Sequence, residues 1–369
     1  MLTFLGNLCN SFGPSGFERE ATRIVKSYVQ DFVDEISSDK LGSLFFKKQG
    51  TAPEPIVLLP GHVDEVGFIV SGINKDGFLT FNTIGGWFDQ VLLGQRVKVR
   101  TKNGNLLLGV IAATPPHILP QEERDKVVKK DKMFIDLGCS NEQEVKKLGV
   151  RVGDPIIPDS IFSTIQKTVF EEKEEKGTTT LAIGKGFDDR IGAFIAIEAL
   201  RRLRQENIAH PNTVIGAATV QEEVGLRGAR TTAHVIKPDV CLTLEVDIAG
   251  DVPGIESYKA PAKMGKGPAI LTYDSSMIPN QALKELVIDT AEQAKIPYQL
   301  SQIARGGTDA GIIHISNAGC PTLVLGVATR HIHSHVGILS LDDVEQCIHL
   351  VIEVIKRLDR ETVKSFTEI

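Results

Sequence analysis

The stretch Pro55-Ile56-Val57-Leu58-Leu59-Pro60-Gly61-His62-Val63-Asp64 decides the fold class of this chain. Its short, continuous apolar run is typical of a strand that is buried on both faces, as in parallel sheets covered by helices. His62 and Asp64 follow at the carboxyl end of this strand, which is the end where open α/β sheets bind their ligands. The stretch therefore predicts an α/β sheet with polar functional groups along one edge.

Apolar runs of the same kind recur along the chain and alternate with helical patterns. Strands are expected at 213–220, 240–246 and 322–327, and helices at 17–35, 188–204, 281–294 and 342–358. From 72 to 180 the pattern changes to short β-branched segments separated by glycine turns such as Asp76-Gly77 and Asn103-Gly104. We therefore predict an α/β core formed by residues 1–71 and 181–369, interrupted at 72–180 by an inserted small β-barrel or sandwich domain.

The composition excludes several classes of function. The chain has 369 residues, of which 42% are hydrophobic and 24% charged, as expected of a globular protein with about two domains. The net charge of -6 offers no basic surface for nucleic acid or an anionic membrane, and no segment approaches the ~20 apolar residues of a membrane span. The start lacks the pattern of a signal peptide and the five cysteines form no CxxC pair, so the cytoplasm is the expected compartment.

Acidic and histidine side chains follow several of the predicted strands. Asp188-Asp189 opens a predicted helix, Glu222-Glu223 follows the strand that ends at Val220, and the segment 330–335 contains three histidines after the last strand. Imidazole nitrogen and carboxylate oxygen are the ligands that zinc and similar divalent cations prefer. Several of them in one cleft predict hydrolysis with a pair of metal ions.

Some roles stay open on the residues alone. Adjacent carboxylates at a buried strand end repel each other, so we expect one of Glu222 and Glu223 to bind a metal and the other to act as general base. Glu245 and Asp247 have the same parity in their strand, and either could be a ligand. The Asp188-Asp189 pair could also be a simple helix N-cap.

The motifs in this order resemble the tetrahedral (TET-type) metalloaminopeptidases, a dinuclear zinc or cobalt family that also carries the names glutamyl aminopeptidase, deblocking aminopeptidase and endoglucanase M. The resemblance extends over nearly the full length and implies a zinc-peptidase α/β/α core with an inserted β-barrel domain that mediates dimerisation. It also implies homo-oligomers in which dimers assemble into a dodecamer. It is carried by the segments 13–18, 61–68, 187–190, 221–225, 249–254, 307–310 and 330–335.

The resemblance implies five metal ligands. His62, Asp188 and Glu245 would bind one ion, and Asp188, Glu223 and His333 the other, with Asp188 bridging the two. Many relatives have aspartate where this chain has Glu245, which lies six residues before the aspartate of its Ala-Gly-Asp motif. Zinc or cobalt is the expected metal.

The predicted reaction is the removal of N-terminal residues from peptides. The resemblance implies that Glu222 is the general base and that Asp64 orients His62. We also predict that Arg305, Gly307 and Thr308 line the substrate cleft, because glycines in that segment allow close approach of a backbone. A related dinuclear deacylase or glycan hydrolase stays an alternative, whereas a catalytically silent binding protein would need no complete set of ligands and base.

Overall fold

The computed structural model describes residues 1–171 and 174–368. In chain order its strands are β1 (Glu35–Ser38), β2 (Leu44–Gln49), β3 (Ile56–His62), β4 (Gly67–Ile73), β5 (Leu79–Ile84), β6 (Arg96–Arg100), β7 (Leu106–Ala112), β8 (Phe134–Asp136), β9 (Pro155–Pro158), β10 (Ser163–Glu171), β11 (Glu174–Gly184), β12 (Thr213–Thr219), β13 (Val240–Ile248), β14 (Ala269–Asp274), β15 (Gln299–Ile303), β16 (Thr322–Arg330) and β17 (Gly337–Ser340). Its α-helices are α1 (Leu2–Asn10), α2 (Arg19–Val29), α3 (Gln121–Arg124), α4 (Glu142–Lys147), α5 (Phe187–Gln205), α6 (Arg227–Ile236), α7 (Gln281–Ala294), α8 (Ala310–Ile313), α9 (Leu341–Ile355) and α10 (Arg360–Ser365).

A large mixed sheet forms the centre of the fold. Among the described residues its main path runs β1-β2-β12-β3-β13-β16-β17-β11-β10, and β14 and β15 branch from β16. The four central strands β12, β3, β13 and β16 are parallel, whereas the other strands of this path pair antiparallel. On the branch, β14 pairs antiparallel with β16 and parallel with β15. Because parallel strands end at the same edge, the residues that follow β3, β12, β13 and β16 meet there.

Helices cover the two faces of this sheet and explain the apolar run in β3. Val57 and Leu59 belong to the larger core, which includes residues of α1, α2, α5, α7 and α9. Leu58 points to the opposite face, where it packs with residues of α6 and α8. A strand with helices on both sides cannot alternate apolar and polar residues, which is why its sequence is continuously apolar. The predicted α/β/α core is confirmed.

The inserted unit is a closed barrel of six antiparallel strands in the order β4-β5-β8-β7-β6-β9. In β6 the valines Val97 and Val99 point into the barrel core, and the basic residues between and around them are less buried. β9 closes the barrel because it pairs with both β4 and β6. The predicted β-barrel insertion is confirmed.

Two details differ from the expectations. The helix expected at 17–35 ends at Val29, because Glu35 already pairs with Lys47 as part of β1. The barrel strands lie between Gly67 and Pro158. β10 and the first part of β11, which ends at Gly184, lie within the expected insert but extend the large sheet through the pairing of β11 with β17. The division at 1–71, 72–180 and 181–369 stays a prediction. Within the described residues no helix has the length and apolarity needed to cross a membrane.

Candidate metal centre

The side chains predicted to act together meet at the carboxyl edge of the parallel strands. His62 is the last residue of β3 and stands opposite Thr219, the last residue of β12. Glu222 and Glu223 follow in the next loop, and Glu245 lies in β13. Helix α5 brings Asp188 to the same place, and the loop after β16 brings His333.

Helix α5 can reach the sheet edge because β3 has glycine at position 61. A Cβ on Gly61 would lie 2.2 Å from the backbone nitrogen of Ala193, which is far below van der Waals contact. The close approach places the first residues of the helix beside His62. Asp189 connects the two elements, because its carboxylate accepts hydrogen bonds from the His62 amide (3.2 Å) and from the Gly192 amide (2.9 Å).

Asp188, near the start of α5, lies between two histidines. Its Oδ1 is 3.2 Å from Nε2 of His62, and its Oδ2 is 3.4 Å from Nε2 of His333. Burial opposes the charged carboxylate, but hydrogen bonds with His333 and His62 lower the pKa of Asp188 far below its ordinary value. Each oxygen of one carboxylate therefore faces a different imidazole.

The other ring nitrogen of each histidine contacts a backbone carbonyl. Nδ1 of His62 lies 3.1 Å from the carbonyl oxygen of Asp64, and Nδ1 of His333 lies 2.7 Å from that of Gly86. Because a carbonyl only accepts, both Nδ1 atoms carry a proton, and both Nε2 atoms face Asp188. Burial opposes the charged form of His62, but Glu222, Asp188 and Asp64 together hold its pKa well above the ordinary value.

Each of the two adjacent glutamates lies beside one of these histidines. Oε2 of Glu222 is 3.7 Å from Nε2 of His62, and Oε2 of Glu223 is 3.7 Å from Nε2 of His333. Burial and the charge of Asp188 raise the pKa of Glu223 to about 8. Burial likewise raises the pKa of Glu222 well above its ordinary value.

Glu245, rather than Asp247, belongs to a group of side chains that could hold a metal ion. Ligand atoms of His62, Asp189 and Glu245 lie within 4.8 Å of one another, and so do those of His62, Asp188 and Glu223. Asp247 belongs to no such group among the described residues, and its Oδ1 accepts a hydrogen bond from the amide of Ile248. Asp189 was not expected beside Glu245; the sequence alone suggested for it only a role at the helix N-terminus.

The donor set fits a pair of divalent cations. Burial and the negative charges of Asp189 and Asp188 raise the pKa of Glu245, so the buried acids disfavour one another's charged forms. Oε1 of Glu223 is buried without a hydrogen-bond partner in the described structure. Cations would supply the missing partner and would take the place of protons on the imidazole Nε2 atoms.

The predicted substrate-binding residues lie in the loop between β15 and α8. Arg305 and Gly307 are exposed, but Thr308 is buried and its hydroxyl donates to Oδ2 of Asp274 over 3.0 Å. The next residue, Asp309, accepts a hydrogen bond from Thr219 at the end of β12 over 2.6 Å. This loop is therefore connected to the strand that leads into Glu222 and Glu223, a connection that the residue pattern does not predict.

Comparison with known proteins agrees with the fold. The family model of the M42 glutamyl aminopeptidases matches residues 42–350. The FrvX protein of Escherichia coli (strain K12) is 37% identical over 367 residues, which cover 100% of this chain and 98% of FrvX. The structure of a TET aminopeptidase from a marine sediment archaeon of the Thaumarchaeota is 59% identical with a TM-score of 0.93, covering 99% of this chain and 98% of that one. The TET1 peptidase of Pyrococcus horikoshii, which can assemble into a tetrahedron or a large octahedral shell, is 30% identical with a TM-score of 0.82, covering 97% of this chain and 99% of that one.

Both the family match and the similarity to FrvX extend over most of the chain. The chain therefore belongs to the M42 glutamyl aminopeptidase family, which includes the TET aminopeptidases, and it is an enzyme that hydrolyses peptide bonds.

Proposed function

We propose that this protein is an aminopeptidase with two divalent metal ions in each subunit, zinc or cobalt. The observation that carries the proposal is the position of Asp188, whose two oxygens face Nε2 of His62 at 3.2 Å and Nε2 of His333 at 3.4 Å. Glu245 completes the set around His62, and Glu223 completes the set around His333. When bound, the two ions would polarise the scissile carbonyl and lower the pKa of an attacking water.

Glu222 is the proposed general base. It lies beside His62 but is not needed to complete either set of ligands, so its carboxylate is free to accept a proton. Burial raises its pKa above the ordinary value, and a carboxylate with a raised pKa accepts a proton more readily. Glu222 therefore passes the proton of the attacking water to the new N-terminus of the shortened peptide.

Asp64 is the proposed orienting group for His62. Its carbonyl oxygen is 3.1 Å and its carboxylate Oδ1 is 3.5 Å from Nδ1 of that histidine. A group that fixes the ring and its tautomer in this way raises the basicity of the nitrogen that binds the metal.

The substrate is proposed to bind against the loop that contains Arg305, Gly307 and Thr308. Arg305 and Gly307 are exposed, and the bond between Thr308 and Asp274 keeps the backbone of the loop in place. Arg305 is available to a carboxylate or carbonyl of the peptide, and Gly307 presents its backbone without a side chain in the way.

The chain is proposed to consist of a catalytic domain formed by 1–71 and 181–369 and an insert at 72–180. Assembly is proposed to begin with dimers that form through the inserted barrel. The outer face of β7 exposes Leu106, Leu108 and Val110 at alternating positions, which is an apolar stripe suited to contact with a second copy. We expect these dimers to form a dodecamer, as the TET1 relative's tetrahedral assembly suggests. Mass photometry should then detect a particle of about twelve times the 40.2 kDa chain.

Hydrolysis of a panel of aminoacyl-p-nitroanilides tests the proposed activity. The protein should release nitroaniline, lose this activity with a chelator, and regain it when zinc or cobalt is added back. Acylated amino acids and a soluble cellulose derivative serve as the comparison substrates. Release from those substrates alone, with two metal ions bound per chain, would favour a deacylase or glycan hydrolase instead.

A further inference from the structure

The N-terminal segment 13–18 lies against the candidate metal centre, although no role proposed above involves it. The amide of Glu65 donates to the carbonyl of Gly13 over 3.0 Å, so the segment runs beside the residues that follow His62. The hydroxyl of Ser15 donates to Oδ2 of Asp64 over 2.7 Å. Ser15 and Glu18 are 7% and 6% exposed, so both polar side chains are directed into the protein.

Glu18 connects this segment to the loop that contains both glutamates. Its Oε1 accepts hydrogen bonds from the amide of Gly16 (2.6 Å) and from the amide of Gln221 (3.1 Å), a residue more than two hundred positions away in the sequence. Gln221 immediately precedes the proposed base and has a φ of 56°. Residues other than glycine rarely adopt this left-handed conformation, and they keep it only when their surroundings impose it.

Asp64 accepts hydrogen bonds from the next two amides. The amide of Glu222 donates to its Oδ1 over 3.0 Å, and the amide of Glu223 donates to its Oδ2 over 3.2 Å. Three successive amides, those of residues 221, 222 and 223, are therefore each bonded to a buried carboxylate oxygen. This row of contacts sets the direction in which the side chains of Glu222 and Glu223 leave the backbone.

We propose that Glu18 is a positioning residue, which holds Gln221 in its left-handed conformation and thereby aims Glu222 and Glu223 at the metal centre. Ser15 supports the same arrangement because its bond keeps Asp64 in place to accept the other two amides. The inference rests on the proposed function, since it assigns the alignment of the base and of one proposed ligand to the N-terminal segment.

Glu18 acts through hydrogen-bond acceptance, and a negative charge at this position is not required. Burial and the nearby charge of Asp64 raise the pKa of Glu18 to about 7. The carboxyl oxygen that accepts from Gln221 keeps a lone pair in the protonated form, and the oxygen of a glutamine side chain offers the same acceptor. A neutral isostere should therefore preserve the function.

The test compares Glu18→Ala with Glu18→Gln. We expect Glu18→Ala to lower kcat by about 10- to 100-fold with little change in KM, which is the range seen when groups that orient a metal site are removed. Glu18→Gln should keep most of the wild-type kcat. Equal losses in both variants would overturn the inference, because they would mean that the charge matters rather than the acceptor.

Glu20→Ala, in the helix α2 that directly follows the segment, is the matched control. Glu20 accepts a hydrogen bond from the amide of Phe12 and pairs with Arg100 of the barrel, so its removal loosens the segment without touching the loop 221–223. It should leave kcat near the wild-type value. A loss as large as that of Glu18→Ala would show a general structural effect and would overturn the inference.

A second substitution tests the proposed cause. Glycine adopts a positive φ without strain, so Gln221→Gly in the Glu18→Ala background should recover part of the lost kcat. If Glu18→Ala fails to fold, as judged by its thermal transition and particle size, Ser15→Ala takes its place and should show the same reduction of kcat at unchanged KM. No recovery in the double variant, or wild-type kcat in Ser15→Ala, would contradict the proposed mechanism.

Metal affinity gives a readout that is independent of turnover. Competition with a chromogenic chelator should show about 10- to 100-fold weaker zinc binding in Glu18→Ala, because Glu223 is one of the proposed ligands. If the zinc-loaded wild-type protein hydrolyses no anilide, the proposed function fails, but this comparison still tests the positioning role. If the wild type is active and Glu18→Ala equals it in both kcat and zinc affinity, the inference alone is wrong.

Discussion

Arg190 donates to Oε1 of Glu65 over 3.1 Å, and both side chains are buried, with exposures of 0% and 2%. The same guanidinium donates to the carbonyls of Leu8, Cys9 and Ser11, so it satisfies the end of α1. A lysine would keep the charge but would lose most of these contacts, which depend on the planar, forked shape of arginine.

We therefore expect Arg190→Lys to lower the free energy of unfolding by about 3 kcal/mol, because a buried carbonyl left without a donor costs about 1–3 kcal/mol. Thermal or urea denaturation of the metal-loaded protein measures this. Arg360→Lys is the control, because Arg360 is 82% exposed beside Glu54 and should change stability by less than about 1 kcal/mol. An equally small effect at both positions would disprove the structural role of Arg190.

Glu222→Gln should remove turnover and leave metal binding intact. The glutamine keeps the size and the backbone bond to Asp64, but it cannot accept the proton of the attacking water. We expect kcat to fall by about 100-fold or more, while elemental analysis still finds the wild-type metal content. Glu256→Gln, at an exposed position paired with Lys259, should have wild-type kcat. Near-normal turnover of Glu222→Gln would refute its assignment as the base.

Removal of the metal ions should destabilise the fold. The carboxylates of Asp188, Glu223 and Glu245 would then lie together with no cation between them. Ligand linkage at about a thousandfold excess over Kd amounts to about 4 kcal/mol, so chelation should lower Tm by roughly 5–10 °C. Zinc or cobalt should restore Tm. Magnesium should not, because it prefers all-oxygen coordination. An unchanged Tm after chelation would contradict a bound metal pair.

His210 should make the stability of the protein depend on pH. It is buried, its Nδ1 lies 2.9 Å from Oδ1 of Asn212, and burial lowers its pKa below the ordinary value. A group with a lowered pKa stabilises the fold above its unfolded pKa of about 6.5, and that contribution is lost as the pH falls through the folded value. Tm should therefore decrease between about pH 7 and about pH 5.

His210→Gln should show a smaller decrease over the same range, because glutamine can still donate to Asn212 but does not gain a proton. His117→Gln, at an exposed position in the barrel domain, should keep the pH dependence of the wild type. Differential scanning fluorimetry at both pH values is sufficient. Parallel curves for the wild type and His210→Gln would contradict the prediction.

The sequence predicts the parallel core and the ends of its strands because strands that are buried on both faces are continuously apolar. The run from Ile56 to Pro60 is apolar without interruption, and His62 follows at the edge where Glu222 and Glu223 also lie. The boundaries of the insert are harder to predict. The sequence of β10 and β11 is rich in β-branched residues, as in a small β-domain. Their composition does not predict that β11 pairs with β17 of the large sheet.

Contacts between distant segments limit what the sequence predicts about the site. The motif 13–18 is recognisable as part of the resemblance, but the bond between Glu18 and the amide of Gln221 depends on how the N-terminal segment crosses the sheet edge. The position of Asp189 beside Glu245 depends in the same way on the close packing of α5 against the sheet. Neither of these long-range contacts can be predicted from the pattern of residue types along the chain.

The hydrogen bond between Gly86 and His333 has a consequence for engineering. Gly86 follows β5 of the barrel, whereas His333 follows β16 of the large sheet, and the two atoms are 2.7 Å apart. A shortened chain that joined residue 66 directly to residue 159 would retain every proposed ligand and the proposed base. It would nevertheless leave one imidazole free to rotate. The barrel thus holds one of the proposed ligands in place, and we expect the smallest active enzyme made from this chain to contain it.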